Sequence, residues 1–259
     1  MDKIVLSAEN LSIGYPDKKK DKIIGENINI TLKEGQLTAL IGANGIGKST
    51  LLRTLMGIQK PLKGKLTLNR KNIQEYTPAS LAQNLSIVLT ETLPPSNLSV
   101  YELVALGRQP YTNWLGKLLD EDIDQIKRAL QLTDIEHLSL KKHYEISDGQ
   151  LQKVLITRAL AQNTSLILLD EPTTHLDLLH KVSLLKLLKK LSAKENKSIL
   201  YSTHDLDMAL QLSDEIIVMT ENRIIQGTPE KLIESSIFNS IFKDDAISFD
   251  SVKKSFIIK

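Results

Sequence analysis

The 259-residue chain contains no cysteine. Disulfides and thiolate metal sites are therefore excluded, and a reducing compartment is compatible with the composition. Aromatic residues are scarce at 4%. Net charge is almost absent: 33 Lys and Arg stand against 31 Asp and Glu, leaving +2, so no general electrostatic grip on nucleic acid is expected. No apolar run approaches the roughly 18–20 residues of a membrane-spanning helix, and the opening MDKIVLSAENLSIGY lacks the apolar core of a signal peptide. The chain is thus expected not to cross a membrane by itself, although a partner can hold it at one. What is present is ordinary for a soluble globular protein, with 41% hydrophobic and 25% charged residues over a length that suits one large domain or two modest ones.

The texture changes along the chain. "KIVLSAENLSIGY" and "ENINITLKEGQLTALIG" carry alternating or short apolar runs, with turns at Pro16 and Glu34-Gly35, so the first third reads as β-rich. A helix is predicted from Lys48 to about Met56, and "GKLTLNRKNI" reads as a strand pair. After Pro94 and Pro95, "VYELVALGR", "DEDIDQIKRALQL" and "GQLQKVLITRALAQ" have helical spacing. From Ser165 strand texture returns: "SLILLDE", "SILYSTH" and "DEIIVM" suit buried parallel strands, with the helical "LLHKVSLLKLLKKLSAKE" between them. The expected architecture is an α/β core, about 1–89 and 164–235, interrupted by a helical insertion at about 90–163. Residues 236–259 form a tail whose "AISFDSVKKSFIIK" suits either a terminal strand pair on the core or a dimer contact.

"GANGIGKST", Gly42 to Thr50, fits G-x-x-x-x-G-K-[ST] through Gly42, Gly47, Lys48 and Ser49. It follows the apolar "LTALI" and opens a helix, the context in which backbone N–H groups of Asn44, Gly45, Gly47 and Thr50 wrap phosphate oxygens. Lys48 is expected to meet the β- and γ-phosphates and the Ser49 hydroxyl to coordinate Mg²⁺, with the helix N-terminus adding partial positive charge. "LILLDEP" ends a strand in two carboxylates. Beside a phosphate loop, Asp170 is expected to hold Mg²⁺, and Glu171 to polarise the attacking water. "YSTHD" repeats the pattern with His204 at a strand's carboxyl end, the edge where ligands of open α/β sheets gather.

"ISDGQLQKVLITRAL" begins with S-x-x-Q, a capping box from Ser147 to Gln150. A capped helix N-terminus with Gly149 in its first turn is also an anion site. "GANGIGKST", "ISDGQ", "LILLDEPTTHLD" and "YSTHD" follow the order and approximate spacing of the ATP-binding cassette (ABC) ATPases, and from about residue 3 to 230 the chain resembles that family. The resemblance implies a P-loop NTPase (RecA-like) core with an antiparallel β subdomain and an inserted α-helical subdomain. It implies ATP and Mg²⁺ as cofactors and a head-to-tail dimer of two copies that sandwich the nucleotide. Ser147, Gly149 and Gln150 would then contact the γ-phosphate held by the partner, Glu171 would be the catalytic base, His204 the switch histidine, and Asp177 the residue that communicates across the dimer. Tyr15, 27 positions before Gly42, matches the adenine-stacking aromatic.

Two departures stand out. Asp148 occupies a usual glycine, and is expected to point away from the nucleotide and favour the helix dipole, since a carboxylate beside a γ-phosphate is repelled. Thr90 aligns with the family's Q-loop glutamine; either Thr90 or Glu91 would reach Mg²⁺ or its water. "NLSVYELVALGRQPYTNWLG" resembles the ATPase subunits of bacterial importers for iron–siderophore complexes, heme and cobalamin. That similarity implies an integral membrane permease as partner, a substrate-binding protein acting indirectly, no nucleic acid, and a peripheral location on the cytoplasmic face of the cell membrane. Tyr111 and Trp114 suit either a permease-docking surface or internal packing.

Overall fold

In the computed structural model, residues 3–89, 96–221, 223–241, 247–250 and 255–258 are described. Two long strands, β1 (Ile4–Tyr15) and β2 (Lys22–Lys33), precede the short β3 (Leu37–Gly42), helix α1 (Lys48–Leu55), β4 (Lys63–Leu68) and β5 (Lys71–Asn72). A short α2 (Pro78–Ala82) leads into β6 (Leu85–Val88), and α3 (Val100–Ala105), α4 (Asp120–Leu132) and α5 (Asp148–Ala161) follow. The chain then alternates through β7 (Leu166–Leu169), α6 (Leu178–Glu195), β8 (Ser198–Ser202), α7 (Leu206–Leu212), β9 (Glu215–Met219), β10 (Ile224–Gly227) and α8 (Pro229–Glu234). It closes on the hairpin β11 (Ile247–Asp250) and β12 (Ser255–Ile258).

The strands form two main sheets. The antiparallel one runs β2-β1-β4-β5, and the other runs β10-β9-β3-β8-β7-β6 with β6, β7, β8, β3 and β9 parallel. Parallel strands are covered on both faces, which is why β3, β7 and β8 are buried at every position and read as continuous apolar runs. β3 shows how one strand serves two cores: Leu37, Ala39 and Ile41 pack toward α3–α6, whereas Leu40 faces α1 and the antiparallel sheet. Helix α1 lies in that second core through Leu51, Leu52, Leu55 and Met56, so the start of the helix is fixed against both sheets.

Gln226 joins the sheets at their edges. Its side chain accepts from the Thr31 N–H (2.8 Å) and donates to the Thr31 carbonyl (2.6 Å), so β10 and β2 are tied by one amide. The α/β reading with a β-rich first third and returning parallel strands matches this architecture. The hairpin β11–β12 packs inward: Phe249 and Phe256 stack around the buried Phe238 with ring centroids 4.8 and 6.1 Å from it.

The "VALGR-x-P" segment has a packing explanation. A Cβ on Gly107 would lie 2.2 Å from the Arg158 carbonyl, so glycine lets this segment close onto α5. Arg108 is buried, pairs with buried Asp122 at 2.9 Å, donates to the Ala161 carbonyl at 2.9 Å, and lies 3.9 Å from the Tyr111 ring centre. Burial pushes the Asp122 carboxyl up, but the hydrogen bond from the Leu119 backbone and the bond and charge of Arg108 together hold it below its ordinary pKa. Tyr111 is thus pinned, its hydroxyl donating to the Gln162 carbonyl (2.9 Å), while Trp114 is 91% exposed. The two aromatics divide between packing and open surface.

Candidate nucleotide site

The loop between β3 and α1 is shaped by glycines for two different reasons. At Gly47 (φ 112°) a Cβ would fall 2.2 Å from Ile24 Cγ2, so the site is crowded. At Gly45 (φ 74°) nothing lies within 4 Å of that position; here the left-handed backbone alone favours glycine, and open space remains beside it. No side chain caps the N-terminus of α1, which leaves its first-turn N–H groups without side-chain acceptors. Lys48 is 7% exposed, and its ammonium donates to the Gly42 (2.9 Å) and Ala43 (3.1 Å) carbonyls. Burial lowers its pKa, and the nearby Glu171 and Asp170 carboxylates oppose that shift. Two acceptors occupy two of the ammonium's three N–H bonds. Tyr15 ends β1, is 45% exposed as a residue, and pairs its hydroxyl with Thr50 Oγ1 at 3.2 Å.

The carboxyl ends of β7 and β8 complete the cleft. Ser202 Oγ donates to Asp170 Oδ1 (2.7 Å) and accepts from the Glu171 N–H (2.8 Å), so one hydroxyl sets both acidic residues. Glu171 takes a left-handed backbone (φ 46°), uncommon for a residue with a long side chain. Its Oε1 lies 2.5 Å from His204 Nε2 and its Oε2 accepts from Thr174 at 3.3 Å. Asn44, Gly45 and Gly47 through Thr50 line a cleft of about 350 Å³ together with Glu171 and His204. Glycine-rich N–H donors, an ammonium and a helix N-terminus favour phosphate there. The Glu171–His204 pair adds a proton acceptor and a polar group on the same cleft. Sequence reading missed Ser202 and Thr174. The signal was present, since both are hydroxyl residues within three positions of a predicted site residue.

A second group lies apart from that cleft. Ser147 caps α5 and the capping box is complete: Ser147 Oγ accepts from the Gln150 N–H (3.3 Å) and Gln150 Oε1 from the Ser147 N–H (3.0 Å). The box consumes acceptor atoms. The Ser147 O–H and the Gln150 amide N–H bonds remain as donors, so the capped helix start is a donor array suited to an anion. Asp148 is the exposed first residue of α5, where its charge suits the helix dipole. Asp177 caps α6, accepting from the His180 N–H (2.9 Å) and facing His180 Nδ1 at 2.8 Å; these bonds lower its pKa. Ser147, Gly149, Gln150 and Asp177 do not line the phosphate-loop cleft. Thr90 and Glu91 lie outside the described residues.

A family model for ABC transporters matches residues 25–174. The chain is 39% identical over 242 residues to the iron(3+)-hydroxamate import ATP-binding protein FhuC of Bacillus subtilis (strain 168), covering 93% of this chain and 88% of the relative. It is 34% identical over 238 residues to the ferric enterobactin transport ATP-binding protein FepC of Escherichia coli (strain K12), covering 92% and 86%. Among solved structures it is similar to an inward-facing ABC transporter assigned to the metal-chelate type, with TM-score 0.80, 28% identity, and coverage of 98% of this chain and 95% of that one. A dimeric bacterial ABC transporter cassette matches with TM-score 0.72 at 25% identity, over 86% of this chain and 98% of that one. A phosphate-loop cleft and likeness sustained over nine-tenths of the chain lead to one assignment: the chain belongs to the ABC transporter family, as an ATP-binding ATPase subunit.

Proposed function

We propose that this ATPase drives an importer for iron–siderophore complexes, working as a head-to-tail pair of copies on an integral membrane permease. The observation that carries the hydrolytic part is the Glu171–His204 pair on the cleft that Lys48 and the phosphate loop line. In this reading Glu171 accepts a proton from the attacking water, and His204, hydrogen-bonded to it, orients the carboxylate and reaches toward the γ-phosphate. Lys48 and the loop N–H groups offset the charge that builds on the transferred phosphoryl group. Tyr15 stacks on adenine. Ser147, Gly149 and Gln150 of each copy close on the nucleotide of the other, and Asp177 lies along the same contact.

The donor set suits Mg²⁺. Ser49 and Asp170 offer hard oxygen ligands, and no cluster of three or more metal-binding side chains occurs among the described residues. That sparse set fits an ion which completes its shell with water and phosphate oxygens. Ser49 and Asp170 would hold the ion, which would supply charge neutralisation of the β- and γ-phosphates.

Import of iron chelates is supported by the relatives named for hydroxamate and enterobactin uptake. A surface for the permease is supported by a groove of about 600 Å³ between the end of α1, α2 and β6, lined by Met56, Ile58, Pro61, Tyr76 and Leu81, with Ile58 61% exposed. Trp114, 91% exposed, is a further apolar side chain available to such a partner. No helix among the described residues is long and apolar enough to cross a membrane, which is compatible with peripheral attachment at the cytoplasmic face. The domain division that fits is a cassette over about 1–235, with its helical insertion at about 90–163, and a tail from 236.

Affinity capture of the tagged chain from detergent-solubilised membranes tests this reading. The expected complex is a multi-span permease with two copies of the chain, whose binding protein takes ferric siderophore in preference to heme or cobalamin. Recovery with ribosomes or DNA, or without any membrane protein, overturns the importer.

A further inference from the structure

No residue in the first turn of α6 is fully buried. Leu178 and Leu179 are 69% and 76% exposed, and the buried face of the helix begins at Leu184. Polar contacts hold that turn in place, and they lead in two directions. On one side the His180 ring, itself bonded to Asp177, lies over the start of α5: a Cβ on Gly149 would sit 3.0 Å from His180 Cδ2 and 3.5 Å from Cγ. On the other side Lys181 Nζ pairs with Asp205 at 3.0 Å, and Asp205 immediately follows His204. Consecutive residues of one helical turn therefore approach Gly149 at the start of α5 and the segment that carries the partner of Glu171.

We infer that His180 and Lys181 are positioning residues that form a joint between the two half-sites of one subunit, transmitting engagement of the α5 start to the Glu171–His204 pair. The inference rests on the proposed reading that Ser147, Gly149 and Gln150 meet the other copy's nucleotide. Neither residue touches the phosphate-loop cleft, so neither acts on the chain's own ATP directly. A joint in series has a distinct signature. Breaking it at either contact removes the same coupling, so breaking both removes no more, whereas two independent structural defects add.

The test is steady-state ATP hydrolysis by the full chain, with binding of a fluorescent ATP analogue to dilute protein and thermal midpoints measured alongside. His180→Ala and Lys181→Met are each expected to lower kcat about tenfold, with analogue affinity and thermal midpoint unchanged. The double variant is expected to fall no further than the weaker single one. Wild-type turnover in both single variants, or losses that multiply in the double variant, overturn the joint. Ser147→Arg, placed at the start of α5, is expected to abolish turnover while sparing analogue binding. If it hydrolyses ATP like the parent, the signature reading fails and takes the joint with it; if it is inactive while both single variants match the parent, the joint alone fails.

Discussion

Helices α1 and α5 both begin with residues suited to an anion, yet they are built in opposite ways. α1 starts at a crowded left-handed glycine with no side-chain cap, so its first-turn N–H groups have no side-chain acceptor. α5 starts at Ser147 with a complete capping box, which pairs the Gln150 and Ser147 N–H groups within the chain. The first is committed: Lys48 is buried, and Glu171 and His204 face the same cleft. The second is exposed and offers only donor atoms left over from its own cap. The difference teaches that a phosphate site can be assembled from a bare helix end, which needs the ligand to complete it, and a capped one, which can stand open to solvent between encounters.

Substitutions can separate the two. The largest effect is expected at Lys48→Ala, which removes a buried ammonium from the cleft; ATP hydrolysis should fall by roughly 10²–10³-fold or more, and full retention of binding and turnover would remove α1 from the nucleotide site. Glu171→Gln should bind ATP yet lose about 10²–10⁴-fold in turnover, accumulating a closed dimer visible by sedimentation. A variant that turns over normally would mean that another group takes the proton. Ser147 distinguishes cap from donor. Ser147→Ala should lose both turnover and about 1 kcal/mol of stability, whereas Ser147→Asp keeps a capping acceptor and should lose turnover at nearly unchanged thermal midpoint. Parent-like turnover in Ser147→Asp would reduce the α5 start to a helix cap. Tyr15→Ala should raise the ATP KM about tenfold through lost stacking, with Tyr15→Phe close to wild type because the Thr50 bond is partly exposed. The smallest effect is expected at Asp148→Gly, where ATP affinity should change less than tenfold; a larger gain would mean that the carboxylate faces the nucleotide.

Much of this molecule is legible in its sequence because parallel strands and phosphate loops are local patterns. "LTALI", "LILL" and "SILYS" show as apolar runs, and the loop's glycines sit at fixed spacing. Gln226 and His180 are not legible, since each acts on a residue distant in sequence: Thr31 and Gly149. The "VALGR-x-P" stretch illustrates the other limit. Its resemblance to importer subunits was visible, but the buried Arg108–Asp122 pair and the close approach of Gly107 to α5 depend on how three helices meet. The tail offered two readings from sequence alone, and its strands pack onto Phe238 because aromatic residues at 249 and 256 come together only when the hairpin forms.

The amide of Gln226 has a consequence for solubility. β2 and β10 are each the last strand of a sheet, and a strand in that place presents unpaired backbone groups that can recruit strands from other molecules. Gln226 occupies both backbone groups of Thr31 with a side chain rather than a strand, so the two raw edges shield each other at that point. Two borders open to aggregation are thereby turned into an internal seam.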